Sequence, residues 1–459
     1  MANPDTPLSP SPSGLSAVTR RDVLKGMAGV AGVASLPALL AACGPGASPS
    51  IAAGTTAPST APASAAAGGS ITLGSNYSDA VPKKALQDAV DKFTSQSGIT
   101  VKVNTVDHGT FQNQISSYLQ GTPDDVWTWF SGFRMRFFAA QGLATDISDV
   151  WATVGSKYGE AFKVGSTGDD GKQYFIPIYL YPWAVFYRKS LFADKGYTIP
   201  KTFDELKTLA AKIQKDNLVP FAFADKDGWP AMGTFDILNL RLNGYQFHVD
   251  LMAGKEKWSD PKVKTVFDTW KGILPFHQEG AAGRIWQDAS QALVQKKAAM
   301  YFHGMFLSQQ FQTAGQADLD DLDFFPYPNL GTQFDAEKAL DAPIDGFMLS
   351  KAPKNLDGSK KFLEYLADPA TQVAWVTADK SNIAASKDAD TSGYTALQKK
   401  AAEVIGSAQR ITQFLDRDTN PNFAGPNGMQ AFLLDFLKNP NQDLGGLQKK
   451  IQDFWNTLG

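Results

Sequence analysis

Residues 70–103 read SITLGSNYSDAVPKKALQDAVDKFTSQSGITVKV, and three successive periodicities in that stretch decide the fold. Ser70–Ser75 is a short strand. Over Lys83–Ser95 the apolar residues at 85, 86, 89, 90 and 93 share one helical face, and Ile99, Val101 and Val103 then alternate with polar residues as a half-buried strand does. The order is β-α-β. Downstream, Phe111–Gln120 reads as a helix, Gly121-Thr122-Pro123 as a turn and Val126–Phe130 as a buried strand, so strands and helices keep alternating as in a parallel α/β sheet. Thr202 and Glu205 spell a capping box ahead of the apolar face Leu206, Leu209, Ala210 and Ile213. From about residue 360 onward the pattern is mostly helical, and no fixed period suggests a solenoid.

At 459 residues the chain is too long for one compact core, and two or three lobes are expected. Its 43% hydrophobic and 19% charged residues are those of an ordinary soluble body. A formal net charge of −3 argues against a nucleic-acid partner. All 10 Trp, 13 Tyr and 30 Phe lie after residue 70, an aromatic density that bears on the choice of ligand. A single cysteine rules out an internal disulfide.

That cysteine closes a targeting signal. Arg20 and Arg21 precede an uncharged Ala/Gly-rich stretch, Gly26–Ala42, too weakly apolar for a permanent membrane span. Leu40-Ala41-Ala42-Cys43 resembles a bacterial lipobox, in which the cysteine thiol takes the lipid. Arg20-Arg21 with Leu24 and Lys25 resembles the twin-arginine export signal, although Val23 stands where Phe is more usual and the general secretory route stays open. Residues 1–42 are therefore expected to be a signal peptide, and 43–70 a lipid-anchored Cys43 with a linker. Residues 44–70 carry neither charge nor aromatic ring, and such a tether spans about 30 Å. The body is expected outside the cytoplasm, on the outer face of the cytoplasmic membrane.

Catalytic signatures are missing from the sequence. It has no nucleophile elbow, no phosphate-cradling glycine loop with lysine and no His-Glu-x-x-His. His108, His248, His277 and His303 are far apart, without ligand spacing. Asp124-Asp125 and Asp320-Asp321 are adjacent pairs, which on a strand face opposite ways and make poor acid/base dyads. Trp127 and Trp129, two apart on one strand, read as core, and Lys296-Lys297 as a solvated face.

Four blocks, in order, carry a family resemblance. The first runs from Pro123-Asp124-Asp125-Val126 to Phe138-Ala139-Ala140-Gln141-Gly142-Leu143. The second is Pro177-Ile178-Tyr179 with Trp183-Ala184-Val185-Phe186-Tyr187-Arg188-Lys189-Ser190-Leu191-Phe192. The third is Gln295–Gly304, close to a Gly-Lys-Ala-Ala-Met segment with Lys296 at the glycine. The fourth is Phe362–Leu366 followed by Asp368-Pro369 and Gln372. Together they resemble the extracellular solute-binding proteins of bacterial carbohydrate ABC importers, the family of the maltose- and oligosaccharide-binding receptors.

The resemblance implies an α/β, two-lobe periplasmic-binding-protein-like fold of type II, with the ligand cleft between lobes joined by chain crossings. Its lobes would comprise 70–178 and the return segment 328–378 on one side, and 179–327 with the helical 379–459 on the other. It also implies ligand contacts by motif position. Asn76, Tyr77 and Asp79 follow the first strand, and Phe130 and Arg134 follow the third. Tyr181 and Trp183 follow the crossing, while Asp227 and Trp229 lie in Asp227-Gly228-Trp229-Pro230. His303 and Phe306 end the third block, Phe306 standing where Trp is common. Asp345-Gly346 and Asp416-Arg417 offer Asp345 and Arg417 from late loops. The implied role is a monomeric receptor, no enzyme, needing neither cofactor nor metal, which hands a carbohydrate to the permease subunits of the importer. Glycerol phosphodiesters or another polyol-like solute are the alternative ligands. A lipid-anchored glycan-degrading enzyme is the alternative of another class.

Overall fold

The structure is a computed structural model and describes residues 69–458, so the signal peptide, the lipobox with Cys43 and nearly all of the expected linker lie outside the described residues. In chain order the strands are β1 (Gly69–Ser75), β2 (Ile99–Thr105), β3 (Val126–Phe130), β4 (Ile176–Leu180), β5 (Trp183–Arg188), β6 (Val219–Phe221), β7 (Ala298–Gly304), β8 (Leu322–Phe325), β9 (Leu340–Asp341), β10 (Ile344–Leu349), β11 (Ile383–Ala384) and β12 (Ile411–Thr412). They form two main sheets, β11-β4-β10-β3-β1-β2 and β6-β7-β5-β8, with β9 and β12 paired apart. Each sheet is the centre of one lobe. Among the described residues no helix is long and apolar enough to cross a membrane.

The opening β-α-β forms as its periodicity requires. β1 pairs with β2 and with β3 in parallel. The helix Ala80–Ser97 between them buries Ala85, Leu86, Ala89, Val90 and Phe93, and it stops at Gly98, whose φ of 72° is the left-handed cap conformation that glycine adopts without penalty. The next helix begins at His108, three residues before the expected Phe111, because the Asp107 side chain accepts from Thr110 N–H and caps it. The first sheet is not wholly parallel. β10 returns from the second lobe and lies antiparallel between β3 and β4.

The crossings follow from sheet membership. The chain leaves the first sheet after Leu180 and enters the second at Trp183, and it returns between Phe325 and Ile344. Ile383–Ala384 pairs with β4, so by this criterion the returning segment runs past the expected limit of 378. The capping box at Thr202 and Glu205 is present. Lys296 has φ 57°, which is why glycine suits that position of the third block. Trp127 and Trp129 are fully buried, 5.3 Å apart and packed on Phe138, as core. Asp124 accepts from Tyr118 Oη and Asn104 Nδ2, while Asp125 accepts from the backbone N–H of Thr72 and Lys354. That acidic pair fastens strands together.

Candidate ligand site between the lobes

Ligand sites in α/β sheets form beyond the carboxyl ends of the strands. Here those ends meet across the lobes. Asn76, Tyr77 and Asp79 follow β1, His108 and Gln112 follow β2, Phe130 ends β3, and Asp345 opens the antiparallel β10, all on one rim. From the second lobe come Trp183 at the start of β5, Trp229, Trp286, and Phe306 just past β7. A late segment adds Phe414, Asp416 and Arg417. These groups enclose a cavity of about 70 Å³, room for a handful of waters.

The charged wall is a buried chain of alternating sign. Arg417 Nη1 donates to Asp345 Oδ1 at 2.7 Å and Nη2 to Tyr181 Oη at 3.1 Å, while its guanidinium lies 3.8 Å from the centre of the Phe130 ring. Arg134 Nη1 stands 3.5 Å from Asp416 Oδ2 and donates to Gln112 Oε1. Burial works against the charge on Arg417, but Asp345, Tyr181 and Asp416 more than compensate and raise its pKa. Burial raises the pKa of Asp345, and Arg417 pulls it back. Burial, with Arg417 and Arg134 nearby, lowers His108 to about 4 although Asp107 opposes the shift, so this imidazole is neutral at physiological pH. Several buried polar atoms here have no hydrogen-bond partner in the protein, namely Tyr77 Oη, both amide atoms of Asn382 and Asp416 Oδ1, the last of which stands 3.8 Å from Arg417 Nε. They offer donors and acceptors to a guest.

Ten of the thirteen residues expected to contact ligand line this cavity: Asn76, Tyr77, Asp79, Phe130, Tyr181, Trp183, Trp229, Phe306, Asp345 and Arg417. Three do not. Arg134 packs behind the wall over Trp129 and Phe130, because Asp416 and Gln112 take its guanidinium. His303 is fully buried between Trp183 and Trp286, with ring centres at 4.9 and 5.6 Å, and burial lowers its pKa to about 3. Asp227 is half-buried, its pKa raised by burial and then by Asp107 and Asp79.

Trp183 lines the cavity differently from a platform. His303 packs on its ring at 4.9 Å, and Phe414 stacks on it at 4.7 Å and 23°. A Cβ on Gly233 would come within 2.4 Å of the indole, so the glycine lets the ring wedge against a helix. Trp229 stands edge-on to Trp183 and 6.3 Å from His108 of the first lobe, and Phe306 is the one Phe, Tyr or Trp ring of the cavity wall that is only partly buried.

Sequence reasoning passed over His108, Gln112, Trp286, Gln309, Asn382 and Phe414, all of which line the cavity. His108 and Gln112 had a signal, since they follow the strand at 99–105 as Asn76 follows β1. The others arrive from segments remote in sequence.

The loop that carries Trp229 is itself held from below. Asp225 Oδ1 accepts from Ala231 N–H at 3.0 Å, its Oδ2 has no partner, and burial together with Asp227 pushes its pKa up to about 8. A carboxyl raised on folding favours the folded state most at low pH, and that contribution is lost as pH rises toward the folded pKa. Asp225→Asn keeps the acceptor without the charge. Its melting midpoint, followed by circular dichroism, should gain on the wild type from about pH 5 to about pH 8 and level off above. Parallel curves at all pH values would refute this.

Among the described residues no group of His, Cys, Asp and Glu side chains gathers as a metal site. Comparison with known proteins places the chain among transport receptors. Residues 78–373 match the family described as bacterial extracellular solute-binding protein. The chain is 24% identical over 392 residues to the alpha-glucosides-binding periplasmic protein AglE of Rhizobium meliloti, covering 80% of this chain and 82% of the relative. It is 25% identical over 334 residues to the maltooligosaccharide ABC transporter solute-binding lipoprotein of Streptococcus pneumoniae, covering 67% and 70%. Among solved structures, the bacterial solute receptor AcbH, with an exclusive substrate preference for β-D-galactopyranose, is 45% identical and superposes with a TM-score of 0.82 over 85% of this chain and 99% of that one. The receptor RafE in complex with raffinose, 18% identical at a TM-score of 0.69, shares the fold.

Proposed function

Because the chain belongs to the bacterial extracellular solute-binding protein family, we propose that it is the receptor of an ABC importer and captures one uncharged sugar ring, of the galactopyranose type, between its lobes. The observation that carries the reading is the cavity, which lies between the lobes and combines the rings of Trp229, Trp286 and Phe306 with buried polar atoms of Tyr77 and Asn382 that lack a hydrogen-bond partner in the protein. A pyranose has C–H faces that stack on aromatic rings and hydroxyls that both donate and accept. The likeness to a galactopyranose receptor at 45% identity supports the sugar class.

The charges favour a neutral guest over a phosphodiester. Arg417 and Arg134 are each matched by a carboxylate, Asp345 and Asp416, which leaves no surplus cation for a phosphate. The mechanism is population shift. Contacts to ligand from both lobes exist together only when the lobes are closed, so ligand stabilises closure and the permease reads the closed shape. Asp79 and Gln287 meet across the mouth, with Gln287 Nε2 donating to Asp79 Oδ1 at 3.1 Å. We place the receptor, as a monomer performing no chemistry, on the outer face of the cytoplasmic membrane through a lipid on Cys43.

The test is thermal unfolding of the chain lacking its first 43 residues, scanned against monosaccharides, oligosaccharides, glycerol phosphodiesters and short peptides. A solute that binds only the folded protein at 100 times its Kd adds about 2.7 kcal/mol of stability, a clear rise in midpoint. Galactose and its close epimers should give the rise. A response confined to phosphodiesters or peptides would overturn the reading.

A further inference from the structure

The backbone of Phe414 is in a conformation that side chains avoid. At φ 133° and ψ 144° it occupies territory open mainly to glycine, an outlier for a bulky residue. Such strain persists only where the surroundings over-determine it, and they do so here. Leu415 N–H donates to the buried Asp236 Oδ2 at 2.6 Å, Gln413 N–H to Asp418 Oδ2 at 2.8 Å, and Arg417 N–H and Asp418 N–H return to the Phe414 carbonyl at 2.8 and 2.9 Å. Asp236 lies on a helix of the second lobe, whereas Arg417 pairs with Asp345 on the first, so the segment is fixed at both ends.

What the strain accomplishes is the placement of one ring. Phe414, 2% exposed, stacks on the indole of Trp183 at 4.7 Å and 23° and forms part of the cavity wall. That is the geometry in which a six-membered sugar ring lies on an indole. A phenyl ring and a pyranose ring have similar footprints, so Phe414 stands where a second sugar, stacked on Trp183, would lie.

We propose that Phe414 is the specificity-determining residue that limits the site to one ring: it fills a second sugar position and covers the platform, Trp183, on which that sugar would stack. This rests on the reading of the cavity as a sugar site. Removing the ring opens space continuous with the cavity and uncovers one Trp183 face. Glycine at 414 also adopts the observed φ freely and keeps the Arg417 segment in place, whereas alanine inherits the strain.

The experiment is calorimetric titration of the wild type, Phe414→Gly and Phe414→Ala with D-galactose and with lactose, alongside thermal unfolding. For the wild type, lactose should bind at least 100-fold more weakly than galactose. In Phe414→Gly that ratio should shrink at least tenfold through tighter lactose binding, and Phe414→Gly should melt above Phe414→Ala, the reverse of the usual order for these residues. Phe414→Leu, which keeps packing but loses the flat ring, should shrink the ratio in the same direction and serves if the smaller variants do not fold. Lactose binding by the wild type on a par with galactose, or an unchanged ratio in the folded variants, overturns the proposal while leaving the sugar reading intact. A wild type that binds no sugar at all overturns both.

Discussion

Arg417→Ala should lose sugar binding and melt several degrees below the wild type. Arg417 is the only partner within ion-pair distance of Asp345 among the described residues, and Asp345 is itself 5% exposed. Removing one member of a buried pair costs about 3–5 kcal/mol, because the other charge is left in low dielectric. The variant supplies its own check through pH. Burial already raises Asp345, and without the guanidinium the carboxyl will take up a proton on folding, so the deficit should be smaller near pH 5 than near pH 8. Arg417→Lys keeps a positive charge but not the fork that reaches Asp345 and Tyr181 together, and it should restore stability better than affinity. Melting curves across pH with parallel calorimetric titrations measure all three effects. An Arg417→Ala protein with wild-type midpoint and affinity would remove this ion pair from the account.

The two tryptophans first suggested by motif should separate cleanly. Trp183 is buried against His303, Phe414 and Gly233, so Trp183→Ala acts mainly on the fold, at about 3–5 kcal/mol. Trp229 meets His108 of the opposite lobe and has ring surface toward the cavity, so Trp229→Ala should weaken sugar binding on the order of 100-fold, the equivalent of about 2.7 kcal/mol. The readouts are the midpoint without ligand and Kd by titration. If Trp183→Ala instead spared the midpoint and took the affinity, the packing of Phe414 and His303 on its ring would have been given too much weight.

The β-α-β opening, the capping box at Thr202 and the core placement of Trp127 and Trp129 were legible because each depends on residues a few positions apart, where helix and strand periods act directly. Asn76, Tyr77 and Phe130, which line the cavity, were named by the family resemblance, through their place after the strands now seen as β1 and β3. The family blocks carried the two-lobe architecture. Arg134 illustrates the limit. Its position after β3 was right, but whether a guanidinium faces a guest or turns away depends on where Asp416 lies, 282 residues later.

The sequence by itself determined the strand and helix order of the opening 70–130 and the two-lobe receptor family, since these rest on short-range periodicity and recognisable blocks. Only the tertiary structure decided which rings line the cavity and that both arginines are already paired. Those properties arise where side chains from β3, β5, β10 and the 414–417 segment converge, and no local pattern encodes the packing of Phe414 and His303 on one indole.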